Sequence, residues 1–239
     1  RIRAVGDLSA ATAATVIDAA GKTVTPGFID VHSHSGPGLA TEALKQGRPV
    51  LAQGITTVLI NPDGGGPVDL RAQRATFERG HIGPNVGQMV PHGSVRAAVM
   101  GMTDRDPTPA ELAKMVDLVR EGMRAGAFGL SSGLYYAPGS YSKTEEVVAM
   151  ARAVAAGGGS YTSHIRDEAD YNVGVVAAVD EVITIAEQAG LVGVVTHMKA
   201  LGPASWGLSK TLVAHIEAAR ARGVSVFADQ YPYEASGTS

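Results

Sequence analysis

Seven histidines offer the clearest chemistry in this sequence: His32, His34, His81, His92, His164, His197 and His215. Neutral imidazole is a good zinc ligand, and catalytic zinc sites keep one coordination position open. His32 and His34 stand two apart in Phe28-Ile29-Asp30-Val31-His32-Ser33-His34. On a strand, residues two apart point the same way, so an inward-facing pair would converge on one metal. His164 ends Ser160-Tyr161-Thr162-Ser163-His164, and His197 ends Val194-Val195-Thr196-His197. A single strand-end histidine is more often a hydrogen-bonded structural residue. All four at the ends of short apolar segments together predict a metal site. His81, after Arg79-Gly80, reads as solvated, and His215, near Glu217, as a surface residue of an outer helix. His92, in Pro91-His92-Gly93-Ser94, reads equally as lining the mouth of a site or as structural.

Carboxylates fall beside these histidines: Asp30, Asp63, Asp167, Glu168 and Asp229. Asp30 is in phase with the His32/His34 pair, which predicts a place deeper behind it, where it supports a ligand. Asp63, in Asn61-Pro62-Asp63-Gly64, reads either as a hard oxygen ligand or as a turn former before glycine.

The elements that must position these groups alternate strictly. Apolar or β-branched runs at residues 27–31, 56–60, 86–91, 127–131, 160–165, 191–197 and 224–229 read as parallel strands buried on both faces. Amphipathic helices lie between them. Thr108-Pro109-Ala110-Glu111 is a capping box with proline at the first helical position. Ser142-Lys143-Thr144-Glu145 predicts a second helix start, Asn172 a cap for a third helix running to Gly190, and residues 208–222 a fourth. Strand–helix alternation predicts a parallel α/β sheet. No G-x-G-x-x-G follows an early strand, so a dinucleotide fold has no support. A (β/α)8 barrel needs eight strands in about 250 residues. Seven strands with a stop soon after the last predict such a barrel with its eighth strand beyond Ser239, on this chain or on a second one. At the other end, Arg1-Ile2-Arg3-Ala4-Val5-Gly6 reads as a strand entering a turn, and any leader peptide would lie upstream of Arg1.

Composition removes several classes. The 239 residues carry 20 Lys+Arg and 23 Asp+Glu, a formal charge of −3, which argues against a nucleic-acid partner. With no cysteine there are no disulfides, no thiolate-held zinc or iron–sulfur cluster and no thiol nucleophile. No apolar run reaches the roughly 18–20 residues of a membrane span.

The motifs, taken together, resemble a known family. Pro26-Gly27-Phe28-Ile29-Asp30-Val31-His32-Ser33-His34 resembles the first-strand motif of the amidohydrolase superfamily. Gly129-Leu130-Ser131-Ser132-Gly133-Leu134-Tyr135-Tyr136-Ala137-Pro138-Gly139, Ser163-His164-Ile165-Arg166-Asp167-Glu168, Thr196-His197-Met198-Lys199-Ala200-Leu201-Gly202 and Asp229-Gln230-Tyr231-Pro232-Tyr233 are similar to segments of the D-aminoacylase, or N-acyl-D-amino-acid deacylase, family. The resemblance runs from about Gly21 onward.

It implies a metal-dependent hydrolase barrel over residues 26–239, with residues 1–25 a remnant of a small β-domain. It implies one or two zinc ions or another divalent metal, His32 and His34 at one position and His164 and His197 at the other. The family places a ligand cysteine after the second strand; Asp63 stands there, which makes it the expected ligand and, being harder than thiolate, alters the metal preference. Tyr136 and Lys199 match residues that bind the substrate's α-carboxylate, with a hydroxyl from Ser236 or Thr238 assisting. The family's catalytic aspartate and its carboxylate-clamping arginine lie beyond residue 239. The implied substrate is an N-acylated D-amino acid. The rivals are another amidohydrolase, acting on D-dipeptides or cyclic amides, and a non-catalytic ligand-binding barrel.

Overall fold

The computed structural model describes residues 2–238. Among the described residues seven strands form: β1 (Phe28–Asp30), β2 (Ile55–Ile60), β3 (Asn85–Pro91), β4 (Gly129–Gly133), β5 (Ser160–His164), β6 (Val192–Val195) and β7 (Val226–Ala228). They make one sheet in the order β1-β2-β3-β4-β5-β6-β7, every pairing parallel. In a doubly wound sheet the order reverses at a switch point. An unbroken sequential order is the barrel arrangement. The outer strands are bare: Phe28 on β1 is 57% exposed and Phe227 on β7 is 47% exposed.

Among the described residues eight α-helices connect and cover the strands: α1 (Gly36–Leu39), α2 (Arg48–Leu51), α3 (Leu70–Gly80), α4 (His92–Met100), α5 (Pro109–Arg124), α6 (Thr144–Ala155), α7 (Val175–Ala189) and α8 (Ser209–Ala221). The capping box at α5 is complete, with the Thr108 hydroxyl accepting from Glu111 N and the Glu111 carboxylate accepting from Thr108 N. The apolar stripes of α5 to α8 pack on the sheet. Met115 and Val119 of α5, Val147 and Met150 of α6, Val179 and Val182 of α7 and Leu212 of α8 join Leu130, Tyr161, Val195 and Val226 in one core. A smaller cluster of Leu39, Val58, Ile60 and Phe77 serves the first strands.

Three local expectations are corrected. Residues 2–6 form no strand, and Arg1 lies outside the described residues. Ile2 and Val5 are 86% and 89% exposed, so the segment has nothing to bury against. Ser142 does not cap α6; Lys143 holds the cap position, and the Ser142 hydroxyl donates to Gly139 O at 2.6 Å. Asn172 does not cap α7, which follows Gly174; the Asn172 amide instead donates to Asp167 Oδ2 at 2.6 Å.

Candidate metal centre and active site

His32 and His34 lie two and four residues beyond β1, so strand alternation does not aim them. The loop does. Asp30 Oδ1 accepts from His32 N at 3.0 Å, and Ser33 N donates to Leu59 O at 2.9 Å, which ties the loop to β2. Asp30 therefore supports the pair through its backbone rather than through an imidazole.

Asp63 stands in a tight loop after β2. Asn61, Asp63 and Gly64 all have positive φ (61°, 55° and 72°), a conformation that Asn, Asp and Gly tolerate best. A Cβ on Gly64 would meet Gly133 N at 2.9 Å, so the loop lies directly against β4. Ser131 fastens it there, its hydroxyl donating to Asn61 O and accepting from Gly64 N at 3.2 Å. Backbone strain of this kind persists only where surrounding contacts over-determine it.

His164 is the last residue of β5, and His197 lies two beyond β6 at φ 37°. The His197 amide donates to Asp229 Oδ1 at 2.6 Å, which holds this strained residue in place.

These loops converge. Ring centroids are 5.4 Å apart for His32 and His34, 5.0 Å for His32 and His197, and 4.6 Å for His164 and His197. Asp63 lies at the centre. Its Oδ2 is 3.5 Å from His32 Nε2 and 3.1 Å from His34 Nε2, and its Oδ1 is 3.8 Å from His197 Nε2. His32, His34 and Asp63 form one group of potential ligand atoms, and Asp63, His164 and His197 a second; within each group the atoms lie within 4.8 Å of one another. Asp63 Oδ1 is buried with no hydrogen-bond partner. A buried carboxylate oxygen left unpaired is costly, and a divalent cation is the partner this donor set fits.

The electrostatics favour ligation at Asp63 and His164, whereas His197 must give up a proton to bind a metal. Burial alone would raise Asp63, but His197, His32 and His34 outweigh it and hold the carboxyl far below its usual range. Burial pushes His164 down to about 4, which keeps its ring neutral and free to donate a lone pair near pH 7. Burial also works against charge on His197, yet Asp63 and Glu168 raise it to about 9.

A second set of groups flanks the histidines. The Tyr136 hydroxyl is 3.3 Å from His164 Nδ1 and hydrogen-bonds the Thr238 hydroxyl. Of the two hydroxyls expected beside Tyr136, Thr238 makes this contact, and Ser236 contributes to the cavity wall. Lys199 Nζ bonds Glu168 Oε1 and lies 3.1 Å from His197 Nδ1. Tyr136, Lys199, Ser236, Glu168 and Tyr231 line one cavity of about 1510 Å³ together with His34, Asp63, His164 and His197.

The remaining histidines lie apart. His81 is exposed at the end of α3. His215 pairs with Asp180 at 2.7 Å, bridging α7 and α8. His92 is fully buried, 3.0 Å from Glu146, whose carboxylate also pairs with Arg96; it braces α4 against α6. Sequence reasoning noted Glu168 and Asp229 as nearby carboxylates but gave them no contact, and it gave no separate role to Tyr231, whose hydroxyl is buried without a partner at the cavity wall. Their positions shortly after β5 and β7, where the histidines also gather, mark them in the sequence.

The amidohydrolase family matches residues 15–236. An N-acyl-D-glutamate deacylase of Alcaligenes xylosoxydans xylosoxydans is 37% identical over 266 residues, covering 100% of this chain and 52% of that protein. A D-aminoacylase of the same organism is 36% identical over 261 residues, covering 100% and 53%. The crystal structure of an N-acyl-D-glutamate deacylase from Bordetella bronchiseptica, complexed with zinc and a phosphonate mimic of the tetrahedral intermediate, superposes with a TM-score of 0.89 at 37% identity, covering 96% of this chain and 52% of that one. The chain spans about half the length of the curated relatives it matches. With sequential parallel strands, histidines gathered at or just beyond their C-terminal ends and a family match over nearly all its residues, this chain belongs to the amidohydrolase family.

Proposed function

We propose that this chain forms most of the barrel of a zinc-dependent deacylase that hydrolyses N-acyl-D-amino acids to a D-amino acid and a carboxylate. The observation that carries the reading is the Asp63 carboxylate, shared by two histidine groups and holding a buried, unpartnered oxygen. Residues 1–25 are read as part of a small β-domain.

His32, His34, Asp63, His164 and His197 would hold the metal. The chemistry that such an ion supplies is polarisation of the amide carbonyl and a lowered pKa for water. The protein's own groups do the rest. Lys199 and Tyr136 face the same cavity and orient the substrate's α-carboxylate, with Ser236 or Thr238 beside them. Fixing that carboxylate relative to the scissile amide selects the hand of the α-carbon. The proton transfers need an acid–base group that is not identified among the described residues. The names of the full-length relatives support this substrate class.

The test is a panel of N-acetyl-D- and N-acetyl-L-amino acids, D-dipeptides and hydantoins, given to the zinc-loaded intact protein. Turnover confined to the N-acetyl-D-amino acids is expected. Turnover of hydantoins or dipeptides in their place would move the protein to another amidohydrolase activity, and no turnover of any would leave a binding barrel.

A further inference from the structure

We infer that Glu168 is a positioning residue that couples the metal centre to the substrate-carboxylate site, an inference that rests on the deacylase reading above. One oxygen, Oε1, serves both sides: it lies 2.9 Å from His197 Nδ1 and also accepts from Lys199 Nζ. All three side chains are largely enclosed, Glu168 at 11%, His197 at 13% and Lys199 at 14% exposed.

A buried ion pair is by itself weak evidence of a role. The position of Lys199 makes this one informative. Its Nζ is also 3.1 Å from His197 Nδ1. An ammonium can only donate. Left alone with the ring, it would take Nδ1 as acceptor and leave the ring proton on Nε2, the atom that faces Asp63. A ring in that tautomer has no lone pair for a metal. Glu168 reverses the preference. Its carboxylate accepts Nδ1–H, so in the neutral ring the lone pair stays on Nε2, and the same oxygen gives the ammonium an acceptor other than Nδ1. An outer carboxylate that fixes the tautomer of a ligand histidine is a general means of tuning metal affinity. Here the same oxygen also holds the cation assigned to the substrate.

The backbone keeps Glu168 in place. Both oxygens of the fully buried Asp167 are used: Oδ1 accepts from Ala169 N at 2.9 Å, and Oδ2 accepts from Asn172 N and Gly174 N at 2.6 and 3.0 Å. Glu168 O accepts from Leu201 N at 2.7 Å, joining the loop after β5 to the loop that carries Lys199.

The experiment compares the intact wild-type protein with E168D, E168Q and E168L. Zinc affinity is read by competition with a chelator, and KM and kcat on an N-acetyl-D-amino acid at saturating zinc. E168Q keeps the size and an acceptor but loses the charge, so it carries the test should E168L fail to fold. Zinc affinity is expected to fall about 10-fold in E168Q and about 100-fold in E168L, with E168D between the wild type and E168Q. KM is expected to rise in E168Q even when zinc is saturating. Wild-type zinc affinity and KM in a folded E168Q would overturn the inference and leave the deacylase reading intact. A wild-type protein that binds no zinc, or binds it without deacylating the substrate, would overturn that reading and the inference with it.

Discussion

Asp63 Oδ2 lies 3.1 Å from His34 Nε2, although the two residues sit on loops that follow different strands. The same carboxylate turns its other oxygen toward His197, and that oxygen has no hydrogen-bond partner. One short side chain thus links the loops after β1, β2 and β6. Asp63→Ala is expected to weaken zinc binding more than about 100-fold, since even residues behind a ligand change affinity 10–100-fold. Chelator competition measures it, and wild-type affinity in the variant would remove Asp63 from the ligand set. Asp63→Cys exchanges a hard donor for a soft one. Its preference should move toward zinc and cadmium and away from manganese.

The buried group of His92, Arg96 and Glu146 predicts an acid-sensitive fold. Burial works to raise Glu146, but His92 and Arg96 outweigh it and hold its carboxyl below the ordinary 4.5. A group depressed in the folded state stabilises above its unfolded pKa and loses that contribution as pH falls. Stability from Glu146 is therefore present above about pH 4.5 and declines below it. Glu146→Gln leaves Arg96 buried without its counter-charge, at a cost of about 3–5 kcal/mol near neutral pH. Urea denaturation across pH 3–7 checks both points, in roughly unit steps. A variant as stable as the wild type at pH 7 would show that the group does not brace α4 against α6.

The Thr108 cap gives a smaller and cleaner test. Its hydroxyl accepts from Glu111 N at 3.3 Å at the start of α5. Thr108→Ala should cost about 1 kcal/mol, read as a lower denaturation midpoint with an unchanged m-value. Thr108→Ser should recover most of it. No loss in the alanine variant would mean that proline at the first helical position and the packing of Met115 and Val119 set this helix start without the cap.

The barrel was legible because its strands are short apolar runs with no competing pattern, and the capping box because its two side chains act within one turn. The site was legible in its residue types but not in how they are aimed. His32 and His34 converge, yet loop contacts from Asp30 and Ser33 do this, not strand alternation. Asp63 could not be separated from a turn former by spacing alone. It occupies a left-handed turn and also points a carboxylate at three histidines. The failed cap at Asn172 has the same origin: Asp167, five residues away, takes its amide. The bond between Glu168 and His197 spans different strands, and no local pattern in the sequence records it.

Lys199 separates substrate anchoring from metal binding. Its side chain lines the cavity beside His197, and an ammonium, which only donates, has no lone pair to give a metal. If it holds the substrate's α-carboxylate, Lys199→Met should remove one charge-assisted hydrogen bond, worth about 1.5–3 kcal/mol. That is a loss of about 10- to 150-fold in kcat/KM for an N-acetyl-D-amino acid. The corresponding carboxamide substrate, which carries no negative charge, should lose far less. The ratio of the two kcat/KM values is the measurement, because an altered metal site would depress both together. Equal losses on the two substrates would place Lys199 in the service of His197 and Glu168 alone.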